Sequence, residues 1–137
     1  MKKATEKALF YRFGNTEKLD AARAALRGLG IECRVLPDGS WREKVGFLLG
    51  LRGFQPAPSE EAQEFDFPGE VLLLYNIKGK RLDHVLETLK GKGVSPIRYK
   101  AVVTPFNILW TLRRLCETMK KEHAYMMEGV KSDDGEA

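Results

Sequence analysis

A strand, a helix and a second strand occur twice along this chain, the first strand and the helix at an offset of 63 residues and the closing strand displaced by a few more, and nothing else in the sequence limits the fold so tightly. The run from Ala8 to Phe13 is β-rich, Gly14-Asn15-Thr16 supplies a turn, and Asn15 or Thr16 suits the N-cap of a helix. From Glu17 to Leu29 the apolar residues Leu19, Ala22, Leu26 and Leu29 share one helical face, and Gly28 and Gly30 mark the stop. Ile31 to Leu36 alternates as a half-buried strand and ends at the turn Pro37-Asp38-Gly39. Shifted without a gap, Leu9 falls on Leu72, Leu19 on Leu82, Leu26 on Leu89, Gly28 on Gly91, Gly30 on Gly93 and Ile31 on Val94. The closing strand of the later unit runs from Ile97 to Val103.

Two such halves, about 7–36 and 70–103, sharing one sheet imply an α+β sandwich of the ferredoxin-like type or a close variant. Between them Ser40-Trp41-Arg42-Glu43 has the form of a capping box, which predicts an inserted helix over 41–51, apolar nearly all round from Val45 to Leu51. The segment 55–69 holds three prolines and four acids with no base, and reads as an acidic loop or tether, disordered in part. Asn107 to Glu128 lacks proline and glycine, which predicts a long C-terminal helix over 107–128 and a disordered tail over 129–137. Strand alternation groups Leu9, Tyr11 and Phe13 with Leu72 and Leu74 on one face, and Phe10 with Val71, Leu73 and Tyr75 on the other. Both faces are apolar, so the two crossover helices cannot cover the sheet alone. The inserted helix and the C-terminal helix are the candidates for the second face.

The 137 residues, 43% of them hydrophobic, suffice for a single domain over 1–128 that needs no metal or disulfide staple. Apolar runs such as Val71–Leu74 fall far short of a membrane span, and the charged start leads into no apolar signal core, so a cytoplasmic protein is expected. Cys33 and Cys116 form no C-x-x-C pair, which removes a redox motif and a zinc half-site and leaves two small core residues. A net charge of +4 is modest for a nucleic-acid binder. The aromatic RNP consensus is absent, and double cover of the sheet hides any stacking platform, which disfavours RNA.

Lys100-Ala101-Val102-Val103-Thr104-Pro105-Phe106-Asn107-Ile108-Leu109-Trp110-Thr111, with Lys120-Lys121-Glu122-His123 further on, resembles the end of a bacterial family called domain of unknown function 3783. The shared features are a lysine, a small apolar run, Thr-Pro-x-Asn-x-x-Trp-Thr and a helix ending near Glu-His. The block Val45 to Leu51 is similar as well. The resemblance implies a bacterial, cytoplasmic protein with no established activity, and it carries over no catalytic residue.

Two places could bind something. Asn76-Ile77-Lys78-Gly79-Lys80-Arg81 joins a strand to a helix and sets Lys78, Lys80 and Arg81 where free helix amides meet an anion. Thr104, Asn107 and Trp110 lie at the end of the last strand, where they either cap a helix or line a pocket. His84 and His123 have no second ligand at metal-motif spacing, and no nucleophile elbow is written, so neither a metal, a cofactor nor a catalytic set is expected. The expected function is a non-enzymatic protein-interaction or regulatory module, with a binding protein or enzyme for a small anion, its site between Lys78–Arg81 and Thr104–Trp110, as the alternative. The stripe Leu109, Leu112, Cys116, Met119, His123 and Met126 leads to Tyr125 and Met127, and places a homodimer interface at Met119, His123, Tyr125 and Met126.

Overall fold

β1 (Lys7–Tyr11), β2 (Glu32–Leu36), β3 (Val71–Tyr75) and β4 (Tyr99–Val102) form one sheet in the order β2-β1-β3-β4 in the computed structural model, which describes residues 5–58 and 65–122. Helix α1 (Thr16–Gly28) joins β1 to β2, helix α3 (Lys80–Gly91) joins β3 to β4, and between the halves lies the short helix α2 (Val45–Leu48). A further helix, α4, covers 112–122. The arrangement is an α+β sandwich. β1 runs parallel to β2 and β3 parallel to β4, while β1 and β3 meet antiparallel. Each crossover therefore joins neighbours, unlike the split units of the ferredoxin-like arrangement, in which a strand of the other half intervenes. Residue chemistry sets this order. Ala8–Tyr11 and Val71–Leu74 are buried on both faces and occupy the centre, whereas β2 and β4 expose Glu32, Arg34 and Lys100 as edge strands tolerate.

The register corrects the expected strand faces. Leu9 pairs with Leu73 and Tyr11 with Val71, so these four share a face, while Ala8, Phe10, Leu72 and Leu74 share the other. Phe13 packs on Phe10 at 5.3 Å, away from Leu9. The cause is one residue of chain. β1 corresponds to β3, and Thr16 at the start of α1 to Lys80 at the start of α3, at an offset of 64, whereas the helix stops Gly28 and Gly91 correspond at 63, because α1 has 13 residues and α3 has 12. A shift without a gap thus aligns the helix ends and turns every strand residue to the wrong face. The turns confirm the larger offset: Arg12 (φ 61°) and Asn76 (φ 66°) leave their strands in the same left-handed conformation.

α1 and α3 cover one face, packing Ala22, Leu26, Val85 and Leu89 on Phe10, Leu72 and Leu74. The second face is covered as the sequence suggests, by Trp41, Val45 and Leu49 from the inserted segment and by Leu112, Leu115, Cys116 and Met119 from α4. Neither covering element is an α-helix from the start of its expected span. Ser40 belongs to a 3₁₀ turn, Asp38–Arg42, and the Glu43 carboxylate accepts from the Ala57 amide at 2.7 Å, so the capping box does not form. Lys44 is extended and bridges to Thr111, and Gly50 at φ 76° ends the segment, which leaves only Val45–Leu48 helical within 41–51. The same pairing interrupts 107–128. Asn107–Leu109 is a 3₁₀ turn, Trp110 is extended, and α4 begins only at Leu112, whose amide donates to the Glu43 carbonyl at 2.8 Å. Residues beyond 122, the proposed tail included, lie outside the described residues. The acidic loop is anchored at its far end, where Phe67 is buried and lies 4.8 Å from the Tyr99 ring.

Candidate functional site

The Thr-Pro-x-Asn string is a closed knot of hydrogen bonds at the end of β4. The Thr104 amide donates to Asn107 Oδ1 at 2.8 Å, and Thr104 Oγ1 accepts from the amides of Phe106 (3.2 Å) and Asn107 (3.1 Å). Asn107 Nδ2 donates to the Val102 carbonyl at 3.3 Å. Pro105 has no N–H to satisfy, so the tight turn leaves no donor stranded there. With Asn107 buried, the residues around it are forced outward. Phe106 is 79% exposed and Leu109 61%, while Ile108 and Trp110 lean on the core. Trp110 is held from both sides: its carbonyl accepts from the Val45 amide at 2.9 Å, and the Arg114 guanidinium stacks 4.2 Å from its ring centre. The result is a rigid apolar knuckle facing solvent.

Beside the knuckle, at the carboxyl ends of the parallel strands β3 and β4, opens a cleft of about 370 Å³ lined by Tyr75, Asn76, Lys78, Thr104, Pro105 and Ile108 among others. Strand ends of this kind are where open α/β sheets bind ligands. Six residues were expected to bind, and the cleft brings two of them together, Lys78 and Thr104. Lys80 is exposed at the start of α3, outside the lining. Arg81 is turned away and occupied: its Nε and Nη2 donate to the two Glu6 carboxylate oxygens at 2.9 and 2.8 Å, and Nη2 also donates to the Leu29 carbonyl at 2.6 Å. The Glu6 bonds raise the Arg81 pKa above its ordinary value. Asn107 and Trp110 serve the turn and the core. Met119, expected at an interface, is buried against its own sheet because Leu112, Cys116 and Met119 share the inward face of α4. Leu109 lies off that stripe. His123, Tyr125 and Met126 lie outside the described residues.

A second cleft, of about 440 Å³, sits at the carboxyl ends of β1 and β2 and is lined by Arg12, Asp38, Trp41, Arg42, Phe65 and Asp66 among others. Sequence reasoning missed it. The signal available was positional, since Arg12 follows β1 as Asn76 follows β3. Arg12 donates to Asp66 at 2.9 Å, and the Arg42 guanidinium lies 4.9 Å from the Trp41 ring centre, so two cations face two carboxylates here.

The thiols are not poised for chemistry. Burial, with the Glu117 charge, pushes Cys116 up to about 12 against a small opposing effect of Arg12, so it stays protonated at neutral pH. Burial also raises Cys33. Tyr11 is raised mainly by burial, and its hydroxyl donates to the Asp38 carbonyl at 3.0 Å. Among the described residues no group of three His, Cys, Asp or Glu is placed to hold a metal ion, and no helix is long and apolar enough to cross a membrane.

Residues 70–126 match the family model of Domain of unknown function (DUF3783). The chain carries a DUF3783 domain. That domain begins beside β3 and takes in α3, β4, the Thr-Pro-x-Asn knot, the exposed knuckle and α4, so the first cleft lies wholly within DUF3783. No curated protein and no solved structure matches the chain.

Proposed function

We propose that this protein is a non-enzymatic protein-interaction or regulatory module acting through the knuckle at Phe106 and Leu109. The observation that carries this reading is the cost of the arrangement. Two large apolar side chains stand 79% and 61% exposed on a turn fixed by a buried asparagine. Such a turn orders its contact residues before any partner arrives, which lowers the entropy lost on binding. A second copy of the chain is the simplest partner, meeting through the knuckle or through the segment beyond 122. Light scattering over a concentration series tests it: the parent is expected to dimerise, and either Phe106→Ser with Leu109→Ser or removal of 123–137 to make it monomeric at unchanged thermal stability. A parent that is monomeric throughout, or a dimer that survives both changes, refutes the homodimer.

A second reading is favoured by the Thr104 hydroxyl. Its oxygen accepts two amides, which leaves its hydrogen to donate into the cleft towards which Lys78 also contributes. A small anion fits that pair. An inorganic phosphate titration that Lys78→Ala leaves unchanged removes it. We further read the two halves as copies of one β-α-β unit, and the protein as bacterial and cytoplasmic. The matched turn conformations support the first, and the family resemblance and the two free cysteines support the second.

A further inference from the structure

A groove of about 410 Å³ lies between α3 and the start of β4, where Lys18 of α1 donates to the carbonyl of the lining residue Pro96 at 2.8 Å. Its floor is apolar, made by Leu86, Leu89, Val94 and Ile97, and Lys90 and Lys100 stand exposed on its rims. Among the described residues no carboxylate lines it. Lys100 spends one of its three donors on the Ile97 carbonyl at 3.0 Å, so its charge faces the groove unneutralised by any lining residue.

The strand beside the groove is an open edge. Among the described residues β4 pairs with β3 alone. The amides of Tyr99 and Val103 donate inward, to the carbonyls of Glu70 (3.3 Å) and Leu74 (2.8 Å). Backbone direction alternates along a strand, so the N–H and C=O of Lys100 and the N–H of Val102 point outward; the Val102 carbonyl is taken by Asn107. The side chains of Lys100 and Val102 face the helix layer, because their partners Leu72 and Leu74 do.

The geometry points to a strand-adding groove: an extended acidic peptide pairs with the outer edge of β4 and lays alternate side chains between α3 and β4. Main-chain bonds to Lys100 and Val102 supply the pairing; of the peptide side chains turned to the helix-layer face, apolar ones fill the floor and carboxylates two residues away on that same face meet Lys90 and Lys100. Charge selects this occupant over a second copy. Antiparallel pairing of two β4 edges brings the two Lys100 ammonium groups together on one face, which like charges oppose. This surface is separate from the knuckle and does not depend on it.

The test uses the full chain and two N-acetylated peptides, repeats of Asp-Thr-Val-Thr and of Lys-Thr-Val-Thr, which set the charge and the valine on one face of the strand, followed by backbone amide NMR and hydrogen exchange. The aspartate peptide is expected to shift the Lys100 and Val102 amides and slow their exchange, with the lysine peptide silent. In Lys90→Glu with Lys100→Glu the aspartate peptide should weaken by about tenfold or more and the lysine peptide should gain binding. Both positions are exposed, and each single change, read alongside the amide spectrum, shows that the fold survives. Silence of the β4 amides, equal binding of both peptides, or shifts confined to the Phe106 knuckle overturns the groove. Phe106→Ser with Leu109→Ser should leave peptide binding untouched, so the two proposals fail separately.

Discussion

Asn107 shows how much a single side chain does in this protein. It satisfies the Thr104 amide and the Val102 carbonyl from one buried position, and both partners lose their bond if the amide group goes. Asn107→Ala should therefore cost about 1–3 kcal/mol in urea melts, because two polar groups are left wanting. Phe106→Ser, one residue away but 79% exposed, should stay within about 0.5 kcal/mol of the parent. Cys116 gives a second measurable effect. Its folded-state pKa, about 12, stands above the ordinary 9.0, so the folded thiol keeps its proton where the unfolded one loses it. The stability this contributes is complete below pH 9.0 and is lost as pH rises towards 12. At about pH 10.5 the parent should have lost roughly 2 kcal/mol relative to Cys116→Ala, taking pH 8 as reference. A constant difference between the two across that range contradicts the burial argument. At this scale the Thr-Pro-x-Asn cap was legible, because its partners lie within five residues. The fate of Arg81 was not, because Glu6 is 75 residues distant.

Among the elements, α2 is where local pattern and tertiary pairing disagree. The apolar run Val45 to Leu51 has the composition of a longer helix, but the backbone at Lys44 is committed to Thr111, a partner that no local reading of the insert reveals. Gly46 adds a packing constraint: a Cβ there would stand 2.2 Å from the Phe54 ring. Gly46→Ala should destabilise by about 1–3 kcal/mol through overpacking. In a Phe54→Ala background the obstacle is gone, and the same change should become stabilising by up to about 1 kcal/mol, the helix preference of alanine over glycine. Thermal melts of the four proteins complete the cycle, and additive effects mean that Phe54 is not the obstacle. The strand faces illustrate a related limit. Both central strands are apolar at every position from 8 to 11 and from 71 to 74, so alternation carries no sign there, and a one-residue difference between α1 and α3 decides the facing.

For the whole molecule, the sequence revealed two β-α-β units, a doubly covered sheet and both covering segments, but not the order of the strands. Order depends on which edges remain, and that is settled by charged residues on β2 and β4 acting against the apolar centre. Arg81 ties the assembly across its parts, joining α3 to the residue before β1 and to the carboxyl end of α1. Its replacement by methionine should cost about 1 kcal/mol in urea melts, as a partly exposed bidentate pair does, and should leave any phosphate binding at Lys78 unaltered. The antiparallel seam between β1 and β3 has one further outcome. Because the two parallel pairs run in opposite senses, their carboxyl ends, and with them the Arg12 and Lys78 clefts, lie at opposite poles of the sheet. Two occupants could be held at once without touching, each at its own pole, with the five residue pairs of that seam between them.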